Sequence, residues 1–479
     1  MGSRATEILL GIDVGTGGAR AVAATAEGEV RAESQIAIAD SLADGTRHEQ
    51  DPQEWWPAAS AAVRRTLETL GGSREDIVGV AVTSTSGSLV LTDSRGQPLR
   101  PAILYDDARG AGEAAGLNQK LLPEDSQFNP SFSLVKALWV RRHEPGVWEK
   151  ARCLLHPTDW LTAKLSGGFG TSDESNALKL GYDSQNGTWG RAVELAGLPI
   201  EMLPRVVTPG TQVGAVSKVA SEETGLPEGV PVLAGATDGM AGLVACGASE
   251  PGNANTTLGT TIVWKILSET RPRLAAGMYC HRHPAGLWAP GAASNTGPGS
   301  LRAEDANHTP ADLDRLAGPH LPCPNVCYLL RTKGERFPFV SSDAETFFEV
   351  KPAGSVESWA AQLQSLAFVE RWGYERLQES GVIVGSKIFS TGSAAASGVL
   401  SQTRANVMGR EIIQCRHAYS AFGAAILAAS TILFGGDLRA AIRGMTHAGV
   451  SYAPDPALKG RYDSLYGAFR DACARRGYR

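Results

Sequence analysis

Asp13 stands just before a run of small residues, Gly15-Thr16-Gly17-Gly18, flanked by apolar stretches from Ile8 to Ile12 and from Ala19 to Ala23. The spacing predicts strand, tight turn, strand. Such a turn offers backbone N–H groups unobstructed by side chains, plus the Thr16 hydroxyl, and nests of this kind bind anionic oxygens, notably phosphate. Asp13 can hold Mg²⁺ beside it, usually through water, because that ion takes few carboxylates and keeps its hydration shell. A plain glycine-rich turn capped by an Asp would carry the same residues. The pattern returns in mid-chain, where Asn253 to Trp264 again reads strand, Gly259-Thr260 turn, strand. Two such hairpins facing each other can grip a polyphosphate. No Gly-x-x-x-x-Gly-Lys-[Ser/Thr] loop is present, so a nucleotide would need this other grip.

Asp238 is the second candidate. It follows the apolar run Pro231 to Gly235 and opens a small-residue helix expected over Asp238 to Cys246. A carboxylate at a strand-to-helix seam lies where open α/β folds place ligands, and it can take a proton from a hydroxyl attacking phosphorus. Asp is equally an ordinary helix N-cap, and the two roles can coexist. Asp106-Asp107 and Arg109 follow a strand expected over Pro101 to Tyr105, and these groups suit a polyhydroxylated ligand because each makes two hydrogen bonds. A solvated loop is the plainer alternative. Thr83 to Ser88 is a hydroxyl-rich loop after the strand Ile77 to Val82, able to bind a sugar or merely to turn. Cys280, His281, His283, Cys323 and Cys327 are zinc-ligand types, but Cys-Pro-Asn-Val-Cys lacks the tight two-residue spacing and nothing closes the set.

Strands alternating with helices must position these groups, which argues the α/β class. Helices are expected over Ser133 to Arg142 and Asp159 to Leu165, and Trp55-Trp56 reads as a helix start docking on a core. The 479 residues suffice for two or three domains. The repeated hairpin suggests two halves, 1–248 and 249–479, meeting at the turn-rich Ser249-Glu250-Pro251-Gly252. Glycine is in excess, 55 residues without a period, which marks many turns and close backbone approaches. The net charge of −5 without a basic block argues against nucleic acid as a partner. Seven cysteines, an odd number, make no disulfide framework and fit a reducing, cytoplasmic setting. Met1 to Leu10 is too poor in apolar residues for a signal peptide; Gly2 and Thr6 fit a loose myristoylation pattern, discounted because the strand at Ile8 leaves no free arm. Tyr419 to Gly436 carries no charge, yet its alanines, glycines and hydroxyls suit a buried helix better than a membrane span.

Taken in order, these segments resemble the FGGY carbohydrate kinases of the actin-like ATPase superfamily, over nearly the whole chain. Gly11-Ile12-Asp13-Val14-Gly15-Thr16 is similar to the first phosphate motif, and Glu49-Gln50-Asp51-Pro52 with Trp55-Trp56 to the Glu-Gln-x-Pro-x-x-Trp-Trp segment. Tyr105-Asp106-Asp107-Ala108-Arg109 resembles the Trp-x-Asp-x-Arg substrate segment, Lys136 to Trp139 the Lys-x-x-Trp signature, and Thr171 to Ala177 the Thr-Asp-x-Ser-x-Ala segment. The resemblance implies two ribonuclease-H-like domains flanking a cleft, a sugar-binding N-terminal and a nucleotide-binding C-terminal one, with ATP, Mg²⁺ and phosphoryl transfer to a sugar hydroxyl. It implies Asp238 as catalytic base, Asp13 near the metal, and Ser86, Asp107, Lys136 and Asp238 against the sugar. It puts Gly15, Thr16, Gly17, Gly259 and Thr260 on the phosphates. Gly392, Ser393 and Ser397 fall on the adenosine segment, where Ser393 replaces the family's second glycine.

Ser86-Gly87 stands where xylulokinases carry Met-His and glycerol kinases Arg-Glu. With the Tyr-Asp-Asp-Ala-Arg-Gly run, this looks more like the D-ribulokinase branch of plants and cyanobacteria, often labelled xylulokinase-like. D-Ribulose is therefore the expected acceptor, with D-xylulose or another ketose or polyol as alternatives. An organellar site fits a plant-like source. A non-kinase actin-like ATPase is the alternative of a different class, disfavoured by the sugar-side residues. A monomer or homodimer without membrane partners is expected.

Overall fold

The computed structural model describes residues 7–122, 127–303 and 307–479; Gly2 and Thr6 lie outside them. A six-stranded sheet organises the N-terminal part. Its strands are β1 (Ile8–Gly15), β2 (Gly18–Thr25), β3 (Val30–Ala37), β5 (Ile77–Ser84), β6 (Gln212–Ala215) and β7 (Pro231–Thr237), and a short strand, β4 (Arg47–Gln50), lies outside it. The order across the sheet is β6-β7-β5-β1-β2-β3. Strands β1, β2 and β3 form an antiparallel meander, β1, β5 and β7 run parallel, and β6 closes the far edge antiparallel. Burial follows from position. The central β1 and β5 are buried nearly throughout, as strands covered on both faces must be, whereas the edge strand β3 alternates exposed and buried residues. Helix α1 (Trp55–Leu70) covers one face through Trp55, Ala59, Val63 and Leu67. Helices α2 (Ser133–His143), α3 (Pro157–Ser166) and α4 (Asp238–Ala245) follow, α4 directly on the end of β7. The segment expected as a strand over Pro101 to Tyr105 pairs only at Ala102–Ile103, because a turn closed by the Asp107 N–H on the Leu104 carbonyl begins there.

The second sheet repeats the plan. Its strands are β8 (Ala254–Leu258), β9 (Ile262–Ile266), β10 (Met278–Arg282), β11 (Trp288–Ala293), β12 (Lys387–Thr391), β13 (Glu411–Cys415) and β14 (Ala448–Tyr452), in the order β10-β11-β9-β8-β12-β13-β14. Again a hairpin, β8 with β9, is extended antiparallel on one side and parallel on the other, and an antiparallel strand ends the parallel side. Strand β8 thus corresponds to β1 and β12 to β5; β10 is the addition. The Gly-Thr echo in the sequence marks a duplication of topology. Helix α5 (Ser355–Gln378) and helix α6 (Gly398–Met408) bury their aromatic and aliphatic residues in this half's own core. Between them Arg404 and Glu370 form a fully buried pair, with Arg404 Nε 2.5 Å from Glu370 Oε2 and Ser390 and Thr256 binding its free edges. Satisfying every edge is the condition under which burying two charges is tolerable.

The chain divides into two compact units, one of residues 1–245 with 419–446 and the other of residues 246–418 with 447–479. This differs from a single boundary between 248 and 249. The cause is helix α7 (Ser420–Ile432), the uncharged stretch noted in the sequence, which leaves the second half and returns to the first unit. Its small residues allow that. A Cβ on Gly11 of β1 would lie 1.8 Å from the Ala421 carbonyl oxygen, and one on Gly423 would lie 1.9 Å from that of Ala241 in α4. Two bare backbones in van der Waals contact seat α7 between β1 and α4. Among the described residues no helix is long and apolar enough to cross a membrane.

Candidate active site

Parallel strands end on the same side, so the loops after β1, β5 and β7 share one edge of the first sheet. Asp13 of β1 is in register with Thr83 of β5, and Thr83 with Ala236 of β7, two residues before Asp238. The edge therefore carries Asp13, the Thr16-Gly17 turn, the loop with Ser86, and Asp238. The Gly239 N–H donates to Asp238 Oδ1 at 2.6 Å, and the Asp238 carbonyl accepts from the Ser420 hydroxyl of α7 at 3.1 Å. The carboxylate is thus oriented and its backbone anchored. Burial, then the Asp238 charge, push the Asp13 carboxyl up to about 7, against the pull of Arg20, its partner across the hairpin. Two carboxylates close enough to feel each other are a hard-oxygen donor set of the kind Mg²⁺ takes together with phosphates. No group of three or more His, Cys, Asp or Glu side chains converges among the described residues, including around Cys280 and Cys327.

A consequence for stability follows. Between about pH 4 and pH 7 the folded chain keeps a proton on Asp13 that an unfolded chain has released, so stability falls as pH rises through that window. Asp13→Asn removes the titrating group. Its melting temperature relative to the parent should climb from pH 4 to pH 7 and level off above, in a thermal unfolding series without ligand. A difference flat across the series would contradict the raised pKa.

At the turn itself, a Cβ on Gly17 would meet nothing within 4 Å, so the tip is open as a phosphate nest must be. Its second counterpart, Gly259-Thr260, turns between β8 and β9, closed by the Gly259 N–H on the Thr261 carbonyl; Gly297 and Gly299 pack against Thr260 and Thr261. Gly392, after β12, has φ +89, and a Cβ there would lie 2.4 Å from the Leu258 carbonyl, so only glycine fits. Ser393 opens a short 3-10 turn, and Ser397 caps α6. The Ser397 hydroxyl accepts from the Leu400 N–H and donates to Asp314 Oδ2 at 2.5 Å, so a partner within the chain already holds it.

The sugar-side candidates are more tightly engaged than their sequence suggests. Asp107 is buried: both oxygens face Arg109, Oδ2 accepts from the His48 N–H at 2.6 Å, and Oδ1 from the Arg109 N–H at 3.0 Å. Burial pushes its pKa up, but these hydrogen bonds win and hold the carboxyl below its ordinary value. Arg109 also reaches Glu49 at 2.7 Å, and Arg100 joins Glu49 to Glu144. Lys136, on α2, is fully buried and donates to the carbonyls of Pro130 at 2.8 Å and Tyr105 at 3.4 Å; burial brings its pKa down to about 7. Ser86 is half-buried in a loop held tight by Gly87, whose Cβ would lie 2.3 Å from the Ser131 carbonyl. Three residues join the set unannounced by motif roles. His48 bridges Ser41 and Asp106, Lys179 lies 4.1 Å from the Phe132 ring with its pKa brought down to about 8 by burial, and Gln50 reaches the Thr16-Gly17 turn. Only Gln50 had a signal, its place in the Glu-Gln-x-Pro-x-x-Trp-Trp segment.

Comparison with known proteins bears on the family and the fold. Residues 8–245 match the N-terminal domain of the FGGY family of carbohydrate kinases, and residues 257–432 its C-terminal domain. A xylulose kinase of Escherichia coli is 29% identical over 285 residues, covering 57% of this chain and 58% of the relative. The chain thus spans somewhat over half the length of the curated relatives it matches. Among solved structures, a xylulose kinase from Rhodospirillum rubrum superposes with a TM-score of 0.87 at 27% identity, over 98% of this chain and 99% of that one. One described as a xyloylose kinase from Brucella ovis gives 0.90 at 23% identity, over 98% and 99%, a likeness of fold. Two α/β units built on the same duplicated sheet, with the actin-like ATPase architecture of those kinases and both family domains in order, place this chain in the FGGY family of carbohydrate kinases.

Proposed function

We propose that this protein transfers the γ-phosphoryl group of ATP to a terminal hydroxyl of a ketopentose. The observation that carries the reading is the shared edge holding Asp13, the open Thr16-Gly17 turn and Asp238. In this reading Asp238 accepts the proton of the sugar hydroxyl, since a hydroxyl is a poor nucleophile until its proton has somewhere to go. The turn amides hold phosphate oxygens and orient the nucleotide. Asp13 would hold Mg²⁺, whose chemistry here is to neutralise phosphate charge. The remaining N–H of Lys136 and the loop at Ser86 would meet sugar hydroxyls. Within the second unit, Gly259, Thr260, Gly392 and Ser393 form a candidate nucleotide-binding group of their own.

Two acceptors are each favoured by an observation. The relatives named xylulose kinase support D-xylulose. The hydroxyl-rich loop at Ser86-Gly87 with the run Tyr105 to Gly110, which resembles the D-ribulokinase branch, supports D-ribulose, which differs from D-xylulose at C3 alone. A coupled ADP-release screen over D-ribulose, D-xylulose, L-ribulose, sedoheptulose, ribitol and glycerol tests both. ADP release should depend on added ketopentose; sugar-independent hydrolysis would replace the kinase reading with that of an ATPase switch.

A further inference from the structure

Gln50 makes hydrogen bonds with every part of its side-chain amide, and each goes to a different segment. Its Nε2 donates to the Thr16 carbonyl at 2.9 Å and to the Ala39 carbonyl at 3.0 Å, while its Oε1 accepts from Trp55 Nε1 at 2.8 Å. The residue is 4% exposed. An amide spent this way in the protein interior is costly to disturb, because its partners cannot recover water in its place.

The bond to Thr16 matters because of peptide geometry. In a trans peptide the C=O and the following N–H point to opposite sides. Fixing the Thr16 carbonyl therefore fixes the direction of the Gly17 N–H, at the open tip of the hairpin. The next peptide is fixed likewise, since the Gly17 carbonyl accepts from the Ile38 N–H at 3.2 Å. Without the first restraint the Thr16-Gly17 peptide can flip at little cost, because glycine accepts the φ values of either turn type.

Strand β4 connects this restraint to the sugar side. Two residues before Gln50, the His48 N–H binds the Asp107 carboxylate and the His48 carbonyl accepts from Leu104. Between them Glu49 meets Arg109. Along a strand, residues two apart lie on one face about 7 Å from each other, so one short rigid strand ties the Asp107 loop to the phosphate turn.

We propose that Gln50 is a positioning residue that aims the Gly17 N–H at the nucleotide phosphates and links that aim, through β4, to the Asp107 loop. This rests on reading the hairpin as the phosphate grip. The test is titration calorimetry of the full chain with a non-hydrolysable ATP analogue and, separately, with AMP, beside steady-state kinetics. Gln50→Met keeps the bulk and removes both N–H donors; Trp55→Phe, a second variant, frees the Gln50 oxygen instead. Gln50→Met should weaken the ATP analogue about tenfold, the loss of one aimed hydrogen bond, leave AMP within about twofold, and lower kcat with the sugar KM nearly unchanged. Trp55→Phe should act in the same direction by less. Equal weakening of AMP and analogue in the folded variants, or an unchanged analogue affinity, would overturn the proposal. Wild-type protein that binds the analogue but phosphorylates no sugar would reject the kinase reading alone, leaving the calorimetric comparison to decide on Gln50. Wild-type protein that binds no analogue would reject both.

Discussion

Asp238→Asn should lower kcat by about 10²–10⁴-fold, the range a positioned general base supplies, while the ATP-analogue affinity stays within about twofold. The substitution is a clean one. Asn presents the same Oδ1 to the Gly239 N–H, so the 2.6 Å bond that orients the side chain persists, as does the backbone anchor to Ser420. The capacity to take a proton is lost while these hydrogen bonds stay. The change also removes a negative charge that holds the Asp13 carboxyl up near 7, so Asp13 should titrate lower in the variant, and the stability slope described for it should level off at lower pH. The two readouts separate the roles of Asp238. A helix cap alone would leave both stability and kcat nearly intact, because Asn caps about as well as Asp, whereas a base loses kcat with the fold kept. Undiminished sugar phosphorylation in the variant would remove Asp238 from the chemistry.

Much of this arrangement is legible in the sequence because it is local. A hairpin turn needs small residues at the tip and apolar residues beside it, and both sit within the span from Ile8 to Ala23; the same holds for the turn at Gly259. Asp238 is legible because a strand-to-helix seam leaves its signature in a few residues. Partnerships across long loops are not. Gln50 reaches Thr16 from 34 residues away and Asp107 takes the His48 N–H from 59 away, and nothing in either segment specifies the other. The sequence presents Asp107 and Ser397 as ligand-facing groups, but their hydrogen bonds are largely met inside the chain, by Arg109 and by Asp314. Charge type shows in a sequence; who has already claimed it does not.

The destination of α7 is the clearest such case, and it supports the other large prediction. An uncharged run of Ala, Gly and Leu says that a helix is buried, without saying against what. In the structure, α7 crosses into the first unit and rests on α4 and β1, with Gly423 against the Ala241 backbone and Ala421 against Gly11. Gly423→Ala adds one methyl where it would lie 1.9 Å from a carbonyl oxygen, and its nearest neighbours are all backbone atoms of Ala241, with no flexible side chain among them to yield. Helix propensity favours Ala over Gly by about 1 kcal/mol, so an exposed helix would gain from the change. Here overpacking should outweigh it, with a net loss of about 2 kcal/mol or more, read as a melting temperature lower by roughly 2–4 °C per kcal/mol. Because α7 also holds the Asp238 carbonyl through Ser420, kcat at a temperature where the variant is still folded should fall with it. An adjacent control, Gly242→Ala on α4, has only the Ser420 hydroxyl at 3.9 Å from its added Cβ and should cost little or stabilise. If both substitutions behave alike, the contact between α7 and α4 is looser than drawn and the helix does not depend on bare backbone for its seat.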